Sequence, residues 1–121
     1  MNDDCLKLTI YGGERHRVGD AFAADALLDL YGRHGVAASV KHFPGAGDTA
    51  ADPHHELPVV ARTNAELAQR ELVPFRAALA AGARIVMTGH FALAGGTGDL
   101  PAGLSAAVLR DLLREQLRFD G

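Results

Sequence analysis

Lys41, His42, Asp48, Asp52, His54, His55 and Glu56 crowd into one short stretch of this chain. Acids, bases and a cation lie together there, and Gly45 and Gly47 let the backbone between them bend. Three chemistries compete for such a set. The first is a metal site drawn from His54, Asp52, Asp48 and His90, although a helical H-E-x-x-H spacing is absent. The second is a phosphate cradle at Gly45-Ala46-Gly47-Asp48-Thr49, which lacks the G-K-[ST] ending of a phosphate loop. The third is acid/base work by His54. Asp52 lies two residues away, within hydrogen-bonding reach in a turn, and a carboxylate partner favours the imidazolium and fixes its orientation.

Such residues need a scaffold, and the flanking sequence predicts one. Leu6, Leu8 and Ile10 alternate with polar residues, which predicts a strand. Asp20 reads as the N-cap of a helix carrying Ala23, Ala26, Leu27, Leu30 and Tyr31, and Gly35 stands where a helix ends. Val36 to Val40 reads as a short second strand. From Phe43 to Pro58 no apolar period survives, so a long loop is expected, and loops of that length are usually functional or disordered.

Thr63-Asn64-Ala65-Glu66 is a capping box. It opens a helix with Ala68, Leu72, Phe75 and Leu79 on its apolar stripe. Pro74 lies inside this pattern and should kink or shorten the helix. Gly82 ends it. Ile85-Val86-Met87 reads as a buried strand, residues 94–103 as a glycine-rich loop, and Ser105 as the cap of a last helix. Val108, Leu109, Leu112, Leu113 and Leu117 form the apolar face of that helix. Alternation of this kind predicts an α/β fold with parallel strands.

Composition narrows the function classes. The chain has 121 residues, 48% of them hydrophobic, with no Trp. That length suits one domain. A net charge of -3 without a basic stripe argues against nucleic acid as a partner. The single Cys5 excludes an internal disulfide and a cysteine zinc cluster. No apolar run approaches a membrane span, and MNDDCLKLT has no signal-peptide pattern. A cytoplasmic protein with no cofactor and no membrane partner is expected. His16, His34 and His55 are expected to be solvated.

The string KHFPGAGDTAADPH resembles the motif KHFPGHGDTxxDSH of the bacterial β-N-acetylhexosaminidases in glycoside hydrolase family 3. The likeness continues through LPVV at 57–60, RELVPFRAALAAGA at 70–83, VMTGH at 86–90, DLPAGLS at 99–105 and VLRDLLREQLRFDG at 108–121. It implies a (β/α)8 barrel and a terminal N-acetylglucosamine substrate, as in cell-wall sugar recycling. Lys41 and His42 match the pair that hydrogen-bonds sugar hydroxyls. His54 matches the acid that protonates the leaving group, and Asp52 the residue that orients it. His90 matches a family position.

The chain departs from that pattern at three places. Ala46 replaces the histidine of PGHGD, Pro53 the serine between the dyad residues, and Gly89 the alanine of MTAH. The family's nucleophilic aspartate lies on the strand that follows FDG. Asp120 belongs to FDG and is not that residue. Retaining glycosidases need the second carboxylate, so the chain as it stands is expected to be inactive.

Residues 5–40 resemble something else. LKLTIYGGERHR and the following helix are similar to small PII-like signalling proteins. The expectation is an α/β chain in which a ferredoxin-like β-α-β opening precedes a partial (β/α)8-barrel-like segment. Residues 1–40 would be the PII-like segment and residues 41–121 the family 3-like part. Two other functional readings are a PII-like ligand-binding or regulatory module and a chimera without evolved function. Open strand edges predict either self-association or a rearranged small fold.

Overall fold

The structure is a computed structural model, and it describes residues 17–47, 49 and 55–121. The expected strand at Leu6–Ile10 lies outside the described residues.

The described chain opens on a hairpin. Strand β1 (Arg17–Val18) pairs antiparallel with β2 (Ala21–Phe22), with Val18 opposite Ala21. Gly19 and Asp20 make the two-residue turn, and Gly19 takes the left-handed φ of 61° that such turns demand. Asp20 is therefore a turn residue and not the expected N-cap. Helix α1 (Ala23–Arg33) starts directly after β2. Among the described residues, then, a hairpin precedes α1.

Gly35 closes α1 as expected, with φ 71°, and the Val36 N–H donates to the Tyr31 carbonyl at 2.9 Å. That bond keeps Val36 in the helix-ending turn, so the next strand starts later than the apolar run predicts. Strand β3 is Ser39–Phe43 and takes in Lys41 and His42.

Two parallel pairs follow. β3 pairs with β5 (Ile85–Thr88), and β4 (Val59–Val60) pairs with β6 (Ala92–Leu93). The helices lie between these strands in sequence. Among the described residues this is the predicted α/β alternation, arranged as three two-stranded sheets. The expected strand at Ile85–Met87 is present but not buried on both faces. Ile85 and Met87 are each 46% exposed, whereas Val86 packs against the core.

The capping box at Thr63 forms as predicted. The Glu66 N–H donates to Thr63 Oγ1 at 3.3 Å, and the Thr63 N–H donates to Glu66 Oε2 at 2.8 Å. It opens α2 (Asn64–Gln69), which stops before Pro74, and α3 (Leu72–Ala80) begins afresh. Pro74 thus sits in the first turn of α3, where a missing N–H costs no intrahelical bond. Leu72 and Phe75 are buried from α3, as the apolar stripe predicts.

The last helix differs in type from the expectation. Ala107–Gln116 is a π-helix preceded by a 3-10 turn at Ala102–Leu104. The Leu117 N–H donates to the Leu112 carbonyl five residues back. The apolar residues fit this wider turn. Val108 and Leu113, five apart, are buried, and Leu112 and Leu117, also five apart, pack at the edge of the core. Ser105 does not cap it through its side chain. Its carbonyl accepts from Val108 and Leu109.

The core gathers Phe43 of β3, Leu67 of α2, Leu72 and Phe75 of α3, Phe91 and Leu93 around β6, and Val108. The Phe43 and Phe75 rings meet edge to face, 5.2 Å between centroids and 87° between planes. No helix among the described residues is long and apolar enough to cross a membrane.

Candidate functional site

Lys41 and His42 owe their placement to a fault in strand pairing. Along β3 and β5 the partners run Ser39 with Ile85, Val40 with Val86 and Lys41 with Met87. The next pair is Phe43 with Thr88. His42 is therefore one residue extra on β3, a β-bulge. A regular strand would alternate, sending His42 inward after an outward Lys41. The bulge instead leaves Lys41 and His42 both exposed and returns Phe43 to full burial. The Lys41–His42 and Phe43–Pro44 peptide bonds are both cis.

The pair stands at the C-terminal ends of parallel strands, where active sites of α/β folds gather. The Gly89 N–H donates to the Phe43 carbonyl at 2.9 Å and carries the pairing past β5. His90 follows, exposed, close enough to His42 to act on it electrostatically. The His42 pKa is lowered, first by partial removal from water and then by the Lys41 and His90 charges. These influences favour the neutral imidazole, which has one N–H donor and one lone pair. Beside the three donors of a lysine ammonium, that set matches a hydroxylated ligand, whose O–H groups both donate and accept.

Beyond β3 the backbone turns sharply. The Gly45 N–H donates to the His42 carbonyl at 2.8 Å. Gly45 and Gly47 take φ of 118° and 55°, in the region that favours glycine. Pro44 is buried beneath this bend. Asp48, Asp52 and His54 lie outside the described residues. The structure thus places Lys41 and His42 together on β3, and brings up His90, which the sequence offered only as a metal ligand and a family position. His34 and His55 are exposed. Among the described residues no three His, Cys, Asp or Glu side chains converge as metal ligands.

The chain is 44% identical over 87 residues to a beta-hexosaminidase of Thiobacillus denitrificans, covering 72% of this chain and 24% of that protein. A beta-hexosaminidase of Chromobacterium violaceum is 40% identical over 108 residues, covering 88% of this chain and 30% of the relative. The chain therefore spans less than a third of the length of these two relatives. Among solved structures, a glycoside hydrolase family 3 beta-N-acetylglucosaminidase from Paenibacillus sp. str. FPU-7 superposes with a TM-score of 0.76. The identity is 45%, over 80% of this chain and 19% of that one. NagZ from Neisseria gonorrhoeae, solved in complex with N-trifluoroacetyl-D-glucosamine, gives a TM-score of 0.72 at 34% identity, over 79% of this chain and 28% of that one. The PII-like reading of residues 5–40 finds no support in these likenesses. The Glycosyl hydrolase family 3 N terminal domain matches residues 13–121, across the hairpin, both parallel strand pairs and the π-helix, and the chain belongs to that family.

Proposed function

We propose that this chain supplies the sugar-binding pair and the acid/base dyad of a hydrolase of terminal β-linked N-acetylglucosamine. Lys41 and His42 hydrogen-bond the hydroxyls of the sugar. His54, oriented by Asp52, protonates the glycosidic oxygen as it leaves. One observation carries the reading: the bulge at His42 turns two consecutive polar side chains outward at the C-terminal end of β3, beside His90. The relatives' names, beta-hexosaminidase and beta-N-acetylglucosaminidase, support the choice of sugar.

A retaining glycosidase needs a second carboxylate to form its glycosyl-enzyme intermediate. The family likeness assigns that group to the strand after Phe119-Asp120-Gly121. Within residues 1–121 the contribution proposed to that reaction is binding of N-acetylglucosamine by Lys41 and His42 and proton donation by His54.

Calorimetric titration with N-acetylglucosamine tests the proposal. Saturable binding that is lost in Lys41→Ala and in His42→Ala is expected. Heat that never saturates, or binding indifferent to both substitutions, contradicts it.

A further inference from the structure

Glu71 is the last residue before α3, and its side chain is only 8% exposed. Its Cβ and Cγ lie 2.6 and 3.0 Å from the position a Cβ on Gly45 would occupy, and its Oε1 lies 3.4 Å from the equivalent position on Gly47. The residue thus fills the hollow under the bend that follows Lys41 and His42. Both glycines are needed there, for their φ and because the Glu71 stem occupies the space of a side chain at Gly45.

The carboxylate has an ion-pair partner in Arg62 but no hydrogen bond to it. Arg62 Nε is 4.0 Å from Oε1, beyond hydrogen-bonding distance. Oε2 is buried without any hydrogen-bond partner. Burying an acidic oxygen unpaired is costly, and such groups in folded proteins call for an explanation. An apolar side chain would fill the same hollow at less cost. What the carboxylate adds is negative charge and acceptor capacity under a bend in which the Ala46 and Gly47 N–H groups are donors.

We propose that Glu71 is a positioning residue: its stem packs against Gly45, and its carboxylate is the acceptor reserved for the backbone N–H groups of Ala46 and Gly47, which sets the orientation of His42 at the sugar site. The sugar-site part of this statement rests on the proposed function. The bracing of the bend does not.

The test is Glu71→Gln, which keeps the shape and removes the charge, alongside Glu71→Ala and wild type. Amide hydrogen exchange at Ala46 and Gly47 and the affinity for N-acetylglucosamine are measured on each folded protein. In Glu71→Gln the thermal midpoint is expected to stay near wild type. Exchange at these two amides should rise by about tenfold, and sugar affinity should fall by a similar factor, the scale of one lost charged acceptor. Exchange and affinity both unchanged in Glu71→Gln would overturn the proposal, whatever Glu71→Ala does to folding. If wild type binds no sugar, the sugar reading fails, while exchange at Ala46 and Gly47 still decides the role of Glu71.

Discussion

The Phe91 ring occupies the position that a Cβ on Gly89 would need. Its Cδ1 and Cζ lie 2.6 and 2.9 Å from that point, and Cε1 lies nearer still. Phe91 is 3% exposed and belongs to the core, and Gly89 is buried beside it. The glycine that replaces the family's usual alanine in MTAH is thus matched to a large neighbour two residues on. The pair also holds the chain where it leaves β5 and presents His90.

Gly89→Ala is therefore expected to destabilise the protein by about 1–3 kcal/mol, the usual cost of overpacking a filled core. Phe91→Val opens the space and costs stability on its own. The double variant should be more stable than the sum of the single losses implies, because the two changes share one volume. Denaturant melts of the four proteins check this. Simple additivity would show that Phe91 does not set the requirement for glycine.

His42 titrates below the ordinary imidazole range because of partial burial, the Lys41 charge and His90, in that order. Each of Lys41→Ala and His90→Ala removes one of these influences and should raise the His42 pKa, as read from its ring proton shifts by NMR. The sign for stability follows from linkage. The folded pKa is depressed, so between it and the unfolded value the unfolded chain binds more protons. The contribution from His42 is complete above the unfolded value of about 6.5 and is lost as pH falls through the folded pKa. Stability should decline over that window, and the decline should shrink in Lys41→Ala.

Much of the scaffold was legible from residue types. The capping box at Thr63, the break enforced near Pro74, the left-handed Gly35 and the buried Leu72 and Phe75 all follow local rules, and local rules are visible in sequence. Other features depend on distant partners. The bulge at His42 exists only in the register between β3 and β5, so the sequence placed Lys41 and His42 at a strand–loop edge and not on a strand. The π-helix arises because Val108 and Leu113 must both reach the core, and a helical period in sequence does not separate a spacing of five from one of three or four. Asp20 looked like a helix cap because a hairpin turn and an N-cap favour the same residue type.

The candidate site was legible as a motif before it was legible as geometry. Lys41 and His42 came from the KHFPG string, whereas the proximity of His90 required the parallel pairing of two strands far apart in sequence. Glu71 left no chemical signal at all. It sits in the RELVPF segment between two helices, and only its burial against Gly45 and Gly47 distinguishes it.

The most direct measurement is NMR observation of the His42 and His90 ring protons while N-acetylglucosamine is titrated into the protein. The account predicts saturable shifts of the His42 signals at millimolar sugar or below, smaller shifts at His90, and loss of both in Lys41→Ala. His42 signals that stay fixed through the titration, or that move equally with an unrelated polyol such as glycerol, would contradict it.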